Sequence, residues 1–373
     1  MSARERVPAP APGAWKRLSR RRGRPASPER ARPCARVVVS RALSGMFEVF
    51  VVVAAARTPA RALRRDAGQP NPGRPVSDER DTLHRFLLER TAVRGEWVHL
   101  DDAWKALLER HDYPPVVRAR LGEAYAAVAL IAATLKFDGA LILQITGSGP
   151  LHLLVVQATG SRALRGLARY RGEVPDGDLA EIFGDDARLV ITLDPGAGRD
   201  RYQGVVELGG GSLSAALDRY FERSEQLPTR VWLAAGTERA AGLLLQGMPA
   251  ADGTPTRPDS EDWIRATLLA DTVAAEELLQ LPAQALLLRL FHEERVRLLE
   301  GHVMRFACGC SRQKVEEMLR GLGADEVRAT LAEEGRVEVT CEFCNARYRL
   351  DAIDAEALFA SADPQPDVGS TRH

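Results

Sequence analysis

The chain has 373 residues, 45% of them hydrophobic and 27% charged, with 51 Lys+Arg balanced by 51 Asp+Glu. That is room for two or three domains and a sizeable core, in the proportions of a soluble protein. No apolar run reaches the ~18 residues of a membrane span. The charge is uneven, with 18 Lys+Arg against 6 Asp+Glu in residues 1–80 and 33 against 45 in 81–373, and an acidic folded part argues against nucleic acid as its partner.

Residues 1–78 read as a disordered basic extension, rich in Arg, Pro and Ala, as in Arg20-Arg21-Arg22-Gly23-Arg24-Pro25. It fits a nucleic-acid or membrane-surface arm, an organellar transit peptide, or a non-functional stretch from a start codon assigned too early; the last is favoured. Cys34 has no nearby partner and reads as incidental.

Residues 79–250 predict an α+β core domain around one sheet. Asp81–Arg90 reads as a helix, with Leu83, Phe86 and Leu87 on one face. Trp97–Leu100 is a short strand and Ala103–His111 a helix stopped by Pro114-Pro115. Val116–Phe137 is a long helix, apolar on most sides and therefore buried. Leu141–Thr146 and Leu151–Gln157 flank Gly147-Ser148-Gly149-Pro150 and read as a hairpin. Arg188–Leu193 and Tyr202–Leu208 make a second strand pair, Leu213–Glu225 a helix and Arg230–Ala235 a strand. No GxSxG or HExxH occurs, the histidines are scattered, and Gly209-Gly210-Gly211-Ser212 lacks the lysine of a phosphate loop. The chain shows no catalytic centre.

Residues 251–300 form a helical linker. Ser260–Gln280 reads as one amphipathic helix carrying Trp263, Ile264, Leu268 and Leu269, and Pro282 restarts a second over Ala283–Glu294. Residues 301–360 form a small C-terminal zinc-binding domain with a helix at Gln313–Gly321 and a strand at Val337–Thr340; 361–373 is a polar, disordered tail. In that domain stand four of the five cysteines, as Cys308-Gly309-Cys310 and Cys341-Glu342-Phe343-Cys344. Two such knuckles complete the tetrahedral sulfur shell that structural zinc takes. The alternatives are two free dithiols or two permanent disulfides. Zinc-held thiolates are also what oxidants attack, so the site is either plain structure or a redox switch. Few cysteines at metal spacing fit a reducing, cytoplasmic compartment.

Tyr220-Phe221-Glu222-Arg223-Ser224-Glu225-Gln226-Leu227-Pro228-Thr229-Arg230 resembles a signature of the redox-regulated 33 kDa heat-shock chaperone family. So do His111-Asp112-Tyr113-Pro114, Thr134-Leu135-Lys136-Phe137-Asp138-Gly139, Arg201-Tyr202-Gln203-Gly204, Leu244 and Gln246 with Met248-Pro249-Ala250, His292-Glu293-Glu294, and the CxC…CxxC series itself. The resemblance covers about 81–359 and leaves the extension outside. It implies a non-enzymatic, ATP-independent holdase, inactive when reduced and bound to one zinc per chain. It implies Cys308, Cys310, Cys341 and Cys344 as ligands, and disulfides Cys308–Cys310 and Cys341–Cys344 on oxidation. The activated form would be a homodimer that captures unfolding client proteins, with no nucleic-acid or membrane partner. The readings set against it are a structural-zinc interaction module and a dithiol–disulfide oxidoreductase using Cys308 and Cys310; no thioredoxin-like context surrounds the CxC.

Overall fold

The computed structural model describes residues 79–360 apart from 136, 197–198, 210, 225–226 and 250–256. It also describes two short strands of the extension, β1 (Val37–Val38) and β2 (Val51–Val53), which pair with each other. The rest of the extension, and the tail expected at 361–373, lie outside the described residues.

The expected single sheet is two. The first runs β10 (Thr229–Ala235), β11 (Ala240–Gly247), β4 (Val93–Leu100), β3 (Thr82–Leu88), β12 (Val296–Leu298), with β13 (His302–Val303) also on β3, all antiparallel. The second runs β14 (Arg305–Phe306), β7 (Ala163–Tyr170), β6 (Leu151–Thr159), β5 (Ala140–Thr146), β8 (Arg188–Asp194), β9 (Tyr202–Glu207); only β14 is parallel to its neighbour.

Between the sheets lies α2 (Pro115–Thr134), three residues shorter at its C-terminus than its sequence suggests. Pro115 opens it without wasting a donor. Both sheets press on it, so Val117, Leu121, Tyr125 and Leu130 are all fully buried, and no single face is apolar. Its alanines let the sheets come close, and Gly242 does the same from β11: a Cβ there would stand 2.6 Å from Leu130 Cδ1. α1 (Asp102–Leu108), α3 (Leu179–Phe183) and α4 (Leu213–Ser224) close the ends of this core.

Asp81–Arg90 is a strand, not a helix. Leu83 points inward to α2, whereas Phe86 and Leu88 point outward. Apolar residues on both faces of a paired strand imitate helical spacing over so short a run, and pairing with β4, β12 and β13 decides the outcome.

The outward face of the first sheet is covered by the linker. The expected helix over Ser260–Gln280 is broken into α5 (Glu261–Ala270) and α6 (Ala275–Gln280), followed by α7 (Ala283–Leu290). Trp263, Leu278, Leu286, Leu287 and Phe291 pack on Phe86, Trp97, Leu243 and Leu245. Polar anchors fix the cover. His99 Nε2 meets Leu278 O at 2.8 Å, and Arg239 donates to Leu279 O at 2.6 Å. Asp271 accepts from Arg230 and from Trp232 Nε1, each at 3.0 Å. Burial holds the His99 imidazole down at about 3, so it is neutral in this bond.

The C-terminal module has a small core of its own. α8 (Arg312–Leu322), α9 (Ala324–Glu334), β15 (Val337–Cys341), β16 (Arg347–Leu350) and α10 (Ala352–Ala360) enclose Val315, Leu319, Val327, Val339, Leu350 and Leu358. β2 pairs with β15 through Val52 and Thr340.

One group opposes this packing. Glu96, on the inward face of β4, is fully buried, and neither of its carboxylate oxygens has a hydrogen-bond partner among the described residues; Arg94 Nε stands 4.0 Å away. Burial pushes its carboxyl up to about 7. The folded state therefore holds this proton more tightly than the unfolded chain does. Below about pH 4.5 the carboxyl is protonated in both states and its burial costs nothing in this respect; the cost grows as pH rises to 7, to about 3 kcal/mol. Glu96→Gln should raise the melting temperature by roughly 5–10 °C at pH 8 and hardly at all at pH 4.5, as read by circular dichroism melts at the two pH values.

Candidate functional site

The first knuckle leaves the edge of the second sheet. Arg305 N donates to Arg162 O at 3.1 Å and Ala307 N to Leu164 O at 3.0 Å, which carries Cys308 off β7. Cys310 precedes Ser311, whose side chain accepts from Lys314 N and starts α8. The second knuckle caps β15. Asn345 N donates to Cys341 O at 2.7 Å and Cys341 N to Ala346 O at 2.9 Å, closing a tight turn. Asn345 takes φ 55° in that turn, a left-handed conformation asparagine tolerates better than most residues.

These turns bring all four predicted cysteines together. Their Sγ atoms lie within 4.8 Å of one another, so the cluster can hold a metal ion. Cys308 and Cys341 sulfurs are 3.6 Å apart and those of Cys310 and Cys344 3.4 Å, far beyond a ~2.05 Å disulfide bond. A tetrahedral ion with ~2.3 Å bonds to sulfur sets its ligands ~3.8 Å apart, close to this spacing. The two contacts run between the knuckles, whereas the disulfides implied by the family resemblance each lie within one knuckle. All four cysteines are free.

The electrostatics suit a cation. The neighbouring Cys341 and Cys344 sulfurs hold Cys308 far below the ordinary thiol range, with Arg165 NH1 3.7 Å away. Cys341 is pushed up to about 11 by its bond to Cys308, and Cys344 is raised further still. A metal ion bound here would take the place of those shared protons. Tyr348 donates its hydroxyl to Cys310 Sγ at 3.1 Å, and Lys314 Nζ donates to Gly309 O at 2.7 Å.

Sequence reasoning missed the surface on which this cluster sits. Phe343, between the second pair of cysteines, packs on Ile142, Val155 and Leu167 of the second sheet's outer face. The Arg165 guanidinium lies 4.2 Å from the centre of its ring, and Arg169 pairs with Glu342. Both arginines are on β7, a strand the sequence pattern did not announce. No histidine joins the cysteines in the described cluster. His99 is a linker anchor, and His84 contacts Leu299 O at 3.0 Å. Gly210, in the glycine run weighed as a phosphate cradle, lies outside the described residues.

The profile of the Hsp33 protein family matches residues 81–351. The chain is 50% identical to the 33 kDa chaperonin of Nitrosococcus oceani over 296 residues, which is 79% of this chain and 100% of that one. It is 49% identical to the 33 kDa chaperonin of Methylobacillus flagellatus over 287 residues, 77% of this chain and 97% of that one. A crystal structure of the 33 kDa chaperonin (heat shock protein 33 homolog) of Thermotoga maritima superposes with a TM-score of 0.64 over 76% of this chain and 100% of that one. At 23% identity, that likeness speaks for the fold.

Cys341 is the most buried of the four. Cys341→Ser should abolish stoichiometric metal in the purified reduced protein. Elemental analysis should fall from one divalent ion per chain to none, while α2 and the two sheets keep their circular dichroism signal.

Proposed function

Because the chain belongs to the Hsp33 family of 33 kDa chaperonins, we propose that it is an ATP-independent holdase gated by its four cysteines. At rest Cys308, Cys310, Cys341 and Cys344 hold one zinc; oxidation exposes apolar surface that captures unfolding clients. Four soft sulfurs at tetrahedral spacing are the donor set zinc prefers among the divalent ions of a cell. When bound, zinc supplies the cross-link that folds the small module.

One observation carries the reading: the linker that covers the first sheet runs straight into the cysteine module. α7 leads through β12 and β13, both on β3, to β14 and then to Cys308. Beneath the linker lies an apolar sheet face with Phe86 and Trp97 at 0% exposure. Loss of the module's fold withdraws the support at one end of that cover, and helices as short as α5, α6 and α7 do not persist without packing.

The redox step balances simply. In each pair, Cys308 with Cys310 and Cys341 with Cys344, two thiolate sulfurs give up two electrons and close one S–S bond, and the two protons the reduction of peroxide needs come from solvent. One peroxide molecule accepts the electrons and protons and becomes two waters. The sulfurs then no longer bind metal. On this reading residues 79–250 are the client-binding and dimerising core, 251–300 the metastable linker, and 301–360 the switch, working in the cytoplasm without catalytic turnover. No helix among the described residues is long and apolar enough to cross a membrane.

Peroxide with mild heat should release one zinc and consume four thiols per chain. Over the same interval the protein should begin to suppress light scattering from a thermally unfolding enzyme. Equal suppression by reduced, zinc-loaded protein would remove the gating.

A further inference from the structure

The molecule has a second covered apolar face, on the sheet the linker does not touch. Ile142, Val155 and Leu167 stand together on the outside of β5, β6 and β7, at 5%, 6% and 4% exposure, in a cluster separate from the core around α2. Ala140 and Leu153 of the same sheet flank them, and Phe343 packs on them from the C-terminal module. That ring is no part of its own module's core, which gathers around Val315, Leu319 and Val339. The second knuckle thus turns an aromatic side chain away from the domain that carries it and seats it on another.

The seat is shaped for that ring and for the carboxylate beside it. Gln157 Oε1 accepts from Arg165 Nε at 2.8 Å and from its NH2 at 2.6 Å. Gln157 and Arg165 face each other across β6 and β7, so the guanidinium is held by the sheet itself and stays in place whether or not the ring is there. Such a planar cation over an aromatic face is favourable, more so when both are half-buried. Arg169, opposite Leu153 in the same strand pair, takes the Glu342 carboxylate. The other Glu342 oxygen is buried without a hydrogen-bond partner among the described residues. In a stretch, 81–373, that carries 45 acidic and 33 basic residues, this apolar strip with two arginines is selective for an acidic–aromatic pair.

We infer that this face is a client-docking site, occupied in the resting chain by Glu342-Phe343, and that it prefers unfolded segments in which an aromatic residue adjoins a carboxylate. The inference rests on the holdase reading above and adds to it where and what the protein binds. Both occupying residues lie between Cys341 and Cys344, so any change of ligation at those sulfurs moves them. Arg165 also faces Cys308 Sγ at 3.7 Å, which ties the seat to the first knuckle as well. The site is vacated with the metal centre itself; the linker-covered face opens only once α5–α7 come away.

The test uses full-length protein and a fluorescein-labelled peptide copying residues 339–346, with serine for both cysteines. Fluorescence anisotropy should show binding to peroxide-oxidised protein and none to the reduced, zinc-loaded form. Peptides with alanine for the phenylalanine, or glutamine for the glutamate, should bind at least about tenfold more weakly, as should oxidised Arg165→Gln and Arg169→Gln proteins. A parent-like circular dichroism spectrum and a single cooperative melt of the reduced variants establish that they fold. Phe343→Ala should admit the peptide while reduced and zinc-loaded, so the site is tested even if oxidation releases no zinc. Equal binding to reduced and oxidised parent overturns the inference. So does undiminished binding of the alanine peptide, or no binding to reduced Phe343→Ala. Dimerisation of Phe343→Ala in sedimentation without peptide binding would assign the face to a second copy of the chain and overturn it too. If oxidised protein loses zinc and suppresses aggregation but does not take the peptide, this inference falls and the holdase reading stands. If it does neither, the holdase reading falls while Phe343→Ala still decides the site.

Discussion

Four sulfurs within 4.8 Å of one another are the constraint on which the rest depends. Among the described residues, the core of the module they close gathers eight buried apolar residues, from Val315 to Leu358. A core that small rarely holds a fold alone, and natural domains of this size use a staple. A structural zinc site contributes on the order of 10 kcal/mol, comparable to the entire stability of an ordinary domain. On the proposed reading, the module's fold and its bound metal would therefore be close to one equilibrium.

Short paths would carry that equilibrium to the rest of the molecule, among them a hydrogen bond from Asn345 Nδ2 to Arg110 O. Another is the seat of Phe343 between Arg165 and the Ile142–Val155–Leu167 strip. A third is the chain itself: β14 on β7, β13 and β12 on β3, then the linker helices over Trp97 and Phe86. The linker's own attachments are an apolar stripe and a handful of hydrogen bonds at His99, Arg239 and Asp271. By contrast α2, buried from both sides, has nothing to release. On the proposed reading the fold separates a permanent core from a cover that a local change can lift.

How much of this was legible in the sequence follows from which signals are local. The cysteine pairs announced themselves by spacing, and α2 by an alanine-rich apolar run too long for a strand. The β5–β6 hairpin was marked by Gly147-Ser148-Gly149-Pro150. β3 was misread because Leu83, Phe86 and Leu87 satisfy helical spacing while actually serving two faces of a sheet. β7 and β11 went unseen because Ala, Gly, Leu and Arg carry little strand signal, and β11 is buried on both faces, which removes the alternation. With β7 unseen, Arg165 and Arg169 could not be placed beside Phe343. Their partnership exists only through the β6–β7 register and the docking of the second knuckle, both long-range.

The central claim is that the linker stays on the sheet only while the sulfur cluster is closed. Hydrogen–deuterium exchange on the full chain, zinc-loaded and then after peroxide has released the metal, tests it directly. The account predicts that amides of α5, α6, α7, β15 and β16 lose protection together, while α2, β5 and β6 keep theirs. Linker helices as protected after metal release as before would contradict it.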